Sequence, residues 1–445
     1  MSNPATQNTD TNWTGVSYGI VLGFVAAYFQ FKVPPVLPVM FDLYDHEIHV
    51  TFGLTSIFGS SFSWLSNMVI SQTIVAGGFM SIFAVAGMLV SVRVGRGIRR
   101  DGAKRYLFGA FALMLTGTAI GLIWPESGTV MLISRTIEGF GAAVLAVCMP
   151  AFANMSAGTK HLPIIIAAQA TWIPVGQLTA NIVAQPAVAE GTWQAAWWFG
   201  ALAVVLVAIW TGYILARGRV AGMAHVPRES AAAEPDPAAP AKREAAPAPM
   251  TRPENRALWL AAVLFFLWQA QFMGYFTWLP VYLVDVRGFT ADGAVLTNQI
   301  PVIVLLIFAL LGGVILKTGL SVIKLLTVAL SLQTLGWAMI PFADNPVIGL
   351  GSLIVWGIAA GLTPTSLWAL PSTLLGGHRA GTDAFAVVLT GRYLGILMGP
   401  LIAAAVFEAT GNWIVVAYAF AVIALATIAG TLLFGVQLRK LRAAG

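Results

Sequence analysis

Apolar residues do not alternate or recur at one helical face along this chain; they run on, in long stretches broken by short polar turns. Stretches of this length predict spans near Gly15–Met40, Val69–Val92, Tyr106–Ile123, Val130–Phe152, Leu162–Val183 and Ala195–Leu215. A second set follows near Leu258–Val284, Val295–Leu316, Val322–Phe342, Val347–Leu370, Ala384–Phe407 and Ile414–Val436. Each is close to the ~20 residues that carry a helix across a ~30 Å hydrocarbon layer. The period-2 pattern of a barrel strand is absent, and in lipid only helices or closed barrels satisfy their backbone groups. The expected fold is therefore an all-α integral membrane protein with twelve transmembrane helices.

Between the two sets, residues 217–256 are rich in Ala and Pro with mixed charges, as in Glu234-Pro235-Asp236-Pro237. Such a segment cannot bury a core and is expected to be a disordered linker. The expected organisation is a polar N-terminal tail (1–14), a six-helix bundle (15–216), the linker (217–256), a second bundle (257–437) and a C-terminal tail (438–445). The first thirteen residues hold no Lys or Arg, unlike the basic opening of a secretory signal.

The two halves repeat. Gly141 and Trp193 are 52 residues apart, as are Gly361 and Trp413, and both intervals end in Gly-x-Trp. Leu37-Pro38-Val39 in span 1 matches Leu279-Pro280-Val281 in span 7. Parallel repeats of this kind predict two pseudo-symmetric bundles with a binding site at their interface, near the bilayer midplane.

Composition agrees: 58% of the 445 residues are hydrophobic and 9% charged. The net charge of +6 changes the picture only through its distribution. With both termini cytoplasmic, the inner loops and tails hold 20 of the 24 Lys and Arg residues and the outer loops hold Arg287 alone. That asymmetry predicts a multi-pass protein of a bacterial-type inner membrane. The basic balance then reflects topology and contact with an anionic leaflet, not a nucleic-acid partner. Cys148 stands alone in an apolar stretch and has no disulfide partner in the chain.

Four ionisable side chains lie deep inside the spans: Lys32, Arg135, Glu138 and Arg392. A charge at mid-bilayer costs roughly 2.5–3.5 kcal/mol on insertion scales, so it is expected to face a cavity and a partner. With all four ionised the spans carry net +2, which favours an anionic small-molecule substrate. Lys32, with Tyr28 one turn away, suits an anionic headgroup; snorkelling toward the outer interface is the alternative. Arg392 sits near the middle of span 11, where its planar fork matches a carboxylate, with a structural salt bridge as the alternative. It could face Trp172, its repeat-equivalent on span 5. Arg135 and Glu138, three apart on span 4, share a helix face and could pair; Glu138 could also exchange protons. Gln271, Tyr275 and Trp278 form a stripe on span 7 that suits a substrate wall or ordinary packing, and Trp368 on span 10 is a further aromatic wall. Gln177, Asn181, Asn298 and Gln299 could bind substrate or glue helices.

Asp42, Asp45, His46, Glu47 and His49 in the long outer loop 41–66 have metal-ligand chemistry, but a solvated acidic loop explains them, and neither a metal nor a cofactor is expected. No nucleotide loop, embedded Ser/His/Asp set or His/Cys cluster occurs, so no enzyme activity is expected.

The layout resembles the major facilitator superfamily over nearly the whole chain. Gly95-Arg-Gly-Ile-Arg-Arg-Asp-Gly-Ala-Lys-Arg105 is similar to that family's G-x-x-x-D-R-x-G-R/K-R loop between spans 2 and 3. The usual Asp falls at Arg99, with an acid only at Asp101. The resemblance implies an inner-gate role for Gly95, Arg99, Arg100, Asp101, Gly102 and Arg105, with the family's charge relay altered. Arg135-Thr-Ile-Glu-Gly-Phe-Gly141 resembles the family's R-x-x-x-G-x-G on span 4 and implies a structural or coupling role for Arg135 and Glu138. The resemblance implies a secondary transporter, and a monomer working by symport or antiport is expected. Anion exchange needs only the buried cations, whereas proton symport needs an acid such as Glu138, and the sequence leaves both open. Its nearest shapes are organic-anion and cyanate/nitroimidazole-like permeases. The alternative is a proton-driven exporter of neutral or acidic drug-like or siderophore-like compounds; Lys32 on span 1 speaks against cationic cargo.

Overall fold

The structure is a computed structural model that describes residues 10–40, 43, 48–49, 69–70, 72–158, 160–161, 164–165, 168–169, 171–218, 250–376 and 382–444. Twelve long helices account for most of them. In the first half these are α1 (Trp13–Phe31), α2 (Gln72–Asp101), α3 (Lys104–Ile123), α4 (Gly128–Met155), α5 (Trp172–Ala189) and α6 (Gln194–Arg217). In the second they are α7 (Arg252–Asp285), α8 (Ala291–Lys317), α9 (Val322–Met339), α10 (Pro346–Leu375), α11 (Thr382–Thr410) and α12 (Trp413–Ala444). The other regular element of note is a two-residue antiparallel ladder, Ile48–His49 with Val69–Ile70. Of the metal-type residues of the outer loop, only the backbone of His49 lies within the described residues.

α12 runs on to Ala444, through the expected C-terminal tail 438–445. Three other boundaries differ from the sequence expectation for a local reason. Span 1 is broken: α1 ends at Phe31, a 3-10 turn covers Pro34–Val36, and a four-residue helix, Leu37–Met40, completes the crossing. Pro34 and Pro35 supply no N–H to the helix ladder, so the chain turns there. α7 starts at Arg252, inside the expected linker, because Thr251 and Glu254 form a reciprocal capping box with a proline in the first turn. α2 runs through the basic motif to Asp101, so Gly95, Arg99 and Arg100 are helical and the turn comes at Gly102, at φ +80°.

Ten helices among the described residues are long and apolar enough to cross a membrane. The other two are α2, whose apolar part is Thr73–Leu89, and α5, which carries Gln177, Thr179, Asn181 and Gln185. Both face the opposite half rather than lipid. By contrast, α6 presents Trp198, Leu202, Leu206 and Ile209 outward at helical spacing, as a lipid-facing helix should.

The repeat seen in the sequence reappears as packing. In the first half α1 packs on α5, α2 and α3 on α4, and α3 on α6; in the second, α7 packs on α11, α8 and α9 on α10, and α9 on α12. The halves meet through two exchanged pairs, α2 with α11 and α5 with α8, and through the Pro34–Met40 segment against α7. This is the two-bundle architecture that the apolar pattern predicts.

The closest helix approach in the second half is α7 on α11, made possible by Gly391, Gly395 and Gly399, spaced four apart. A Cβ on Gly395 would lie 2.7 Å from the Phe266 carbonyl oxygen, and one on Gly399 would lie 2.3 Å from that of Ala270. Gly395→Leu is expected to destabilise the protein by about 1–3 kcal/mol or more through overpacking. The check is thermal unfolding of the purified protein, with Gly109→Leu as the control, since a Cβ on Gly109 meets nothing within 4 Å.

Candidate functional site

Lys32 is the residue at which α1 ends, still in helical conformation. Its Nζ donates to Glu138 Oε1 at 2.7 Å and lies 4.4 Å and 4.2 Å from the ring centroids of Phe29 and Trp197. Glu138 also accepts from Thr118 Oγ1 at 2.7 Å and, through its other oxygen, from the Arg135 guanidinium one turn earlier. Arg135 donates further to the Phe79 carbonyl (3.2 Å) and the Phe29 carbonyl (2.8 Å) and covers the Phe83 ring. Phe29 lies in the last turn of α1, where carbonyls lack intrahelical donors, so the break in span 1 creates an acceptor that Arg135 uses. Lys32, Arg135 and Glu138 are all fully buried. The cluster joins α1, α2, α3 and α4 inside the first half.

Lys32 is therefore not at an open cavity, which corrects the expectation for it as a substrate cation. Its side chain points into the first half, toward Glu138 on α4. Tyr28 goes the same way, donating to the Ala196 carbonyl at 2.7 Å on α6.

The cavity between the halves has a volume of about 50 Å³ and is lined by α1, α2, α4, α5 and α11. Arg392 and Trp172 both line it. Trp172 lies 31 residues beyond Gly141 and Arg392 the same 31 beyond Gly361, so repeat-equivalent positions meet in one cavity. Among the described residues the Arg392 guanidinium has no hydrogen-bond acceptor; its one neighbour of note is the Tyr393 ring, 5.5 Å away. Gln30 lines the same cavity, and its Nε2 is buried without a hydrogen-bond partner. Gly87 on α2 leaves room for the Tyr393 ring, 2.9 Å from where a Cβ would sit. Sequence reasoning missed Gln30 and Tyr393. The signal for Gln30 was its offset of two from Lys32, which puts it on the opposite side of the helix.

The remaining expected wall residues lie elsewhere. Gln271 accepts from Gln333 Nε2 and Trp337 Nε1, each at 3.2 Å, and is fully buried in the second half. Tyr275 stacks on Trp356, with ring centroids 3.8 Å apart, and Trp278 donates to the Pro400 carbonyl at 3.0 Å. Trp368 packs edge-on against Phe265 and is 37% exposed. The stripe on α7 thus faces α9, α10 and α11, not the central cavity, because α7 is buried on more than one face. Its spacing alone does not choose between them.

Beside the cavity the halves are tied by Asn298 Nδ2 donating to Asn181 Oδ1 at 3.3 Å. Gln177, Asn181 and Asn298 retain unpaired buried polar atoms. At the basic motif, Tyr106 Oη reaches Asp101 at 3.5 Å, and a Cβ on Gly97 would lie 1.9 Å from that hydroxyl oxygen, so a larger residue there would have to displace the Tyr106 ring. Arg105 is exposed.

Two six-helix membrane bundles related by a repeat, with a cavity at their interface lined by Arg392 and Gln30, form the architecture of a transport protein. The profile of the Major Facilitator Superfamily matches residues 19–383, and the chain belongs to that family of secondary transporters. Among solved structures it is similar to a POT family transporter in complex with 5-aminolevulinic acid. That match has a TM-score of 0.67 and 13% identity, covering 97% of this chain and 96% of that one. It is also similar to the nucleoside transporter NupG in a single-site mutant form, with a TM-score of 0.62 and 15% identity over 94% of this chain and 99% of that one. No curated protein matches the sequence.

Replacing Glu138 leaves two buried cations with no carboxylate. Glu138→Gln is expected to cost about 3–5 kcal/mol, the usual penalty for breaking a buried ion pair from one side. The check is the midpoint of thermal unfolding in detergent. An unchanged midpoint would show that the cluster does not hold the first half together.

Proposed function

We propose that this transporter moves a small organic anion, a carboxylate, by alternating access of its two halves about the Arg392 cavity. The observation that carries the reading is Arg392 itself, a cation at the junction of the halves without an acceptor among the described residues. Its planar fork suits a carboxylate bidentately. Gln30 offers a second donor from the opposite half, and Trp172 a flat wall.

A cavity of about 50 Å³ holds little more than a water or two, each ~30 Å³. An organic acid therefore enters only when the halves part, which requires remaking the α2–α11 and α5–α8 contacts. Lys32 takes a structural role in this reading. Glu138, already accepting from three side chains, acts as its counter-charge rather than as an open proton carrier. Loop charge favours a bacterial-type inner membrane with both termini cytoplasmic.

The test is uptake into proteoliposomes with a panel of organic anions, with and without a pH gradient. Arg392→Ala is expected to lower uptake of the preferred anion at least tenfold, with Arg392→Lys retaining part of it as a point charge. Wild-type uptake of every anion by Arg392→Ala would remove Arg392 from the binding site. Equal rates with and without the gradient would exclude proton coupling.

A further inference from the structure

The second half holds another cavity, of about 280 Å³, between α7, α8 and α10. No described residue of the first half lines it, and it shares no lining residue with the Arg392 site. At its floor Tyr275 and Leu353 are 5% and 7% exposed, while Phe289 and Leu350 at its mouth are 41% and 48% exposed. From Tyr275 to Asp285, the end of α7, is about 15 Å at 1.5 Å per residue, and Arg287 follows two residues on.

The walls between these ends are mainly Leu, Ile and aromatic side chains. Water needs two to four polar partners to settle in such a space, and an apolar void left empty costs stability in proportion to its volume. Few polar groups line it, and two of them, Tyr282 and Ser352, already donate to the Ile340 and Gly349 carbonyls. The hydroxyls of Tyr275 and Thr297 have no hydrogen-bond partner among the described residues. Arg287, at the mouth, is the single Lys or Arg in the loops at that end of the protein. Its guanidinium rests on the Ala343 carbonyl and on Asp344, a carboxylate 90% exposed and hence screened and exchangeable.

We propose that this pocket binds an amphipathic anion, its hydrocarbon tail lying along α7 toward Tyr275 and its charged end at Arg287. A free fatty acid and an anionic phospholipid share that chemistry. The test uses the full-length protein in nanodiscs with three photoreactive diazirine probes, applied separately: palmitate, phosphatidylglycerol and uncharged hexadecanol. Labelled peptides are mapped by mass spectrometry.

Palmitate or phosphatidylglycerol is expected to label residues 275–300 and 340–353 at least fivefold above the lipid-facing α6, and whichever does so identifies the source. Thr297→Phe, which narrows the slot, is expected to lower that labelling at least fivefold. Arg287→Gln is expected to lower it for the anionic probe to the level of hexadecanol, and Arg287→Lys to preserve it, which separates loss of charge from loss of fold. Labelling spread evenly over the lipid-facing helices would overturn the proposal. So would labelling of the pocket that neither Thr297→Phe nor Arg287→Gln changes.

Discussion

One carboxylate, that of Glu138, neutralises much of the charge buried in the first half of this protein. Two cations and a threonine hydroxyl converge on its two oxygens. Burying ions in this way is costly, and the cost is offset only when every donor has an acceptor. Here the acceptors are Glu138 and two backbone carbonyls, one of them supplied by the last turn of α1. The last turn of α1 is therefore part of the electrostatics: Lys32 follows it directly and reaches Glu138, and Phe29 within it gives Arg135 a carbonyl.

The second half solves the same packing problem without ions. Where the first half has its charge cluster, the second has the amides of Gln271 and Gln333 and a nest of rings around Trp356. A repeated architecture thus carries two unlike interiors. The seam between them is neither: its groups are amides with polar atoms left over and an arginine without an acceptor among the described residues. Unsatisfied polar atoms are expensive inside a single well-packed body and tolerable where two bodies come apart.

Most of the architecture was legible in the sequence. Span count, the six-plus-six division and the repeat follow from runs of apolar residues and from landmarks such as the Gly-x-Trp pair, because lipid leaves the backbone few choices. The meeting of Arg392 with Trp172 was legible for the same reason, since repeat symmetry fixes which positions face each other. The orientation of single side chains was not. Lys32 suits an anionic headgroup or snorkelling by its depth alone, and nothing in its spacing names Glu138, on another helix, as its partner. The stripe Gln271, Tyr275 and Trp278 has a clear spacing, but α7 is buried on several faces and spacing does not name the neighbour. Gln30 went unnoticed because an uncharged amide next to a lysine draws no attention in a search for charges.

Trp172 and Arg392 occupy matching places in a duplicated scaffold and line the same small space, which sets both near the pseudo-dyad that relates the halves. When two rigid bodies tilt about a common pivot, atoms near the pivot travel least and those at the rims travel most. A guanidinium stationed there keeps its position in the bilayer while the walls around it swing, so a bound anion would be handed from one face to the other without leaving its counter-ion.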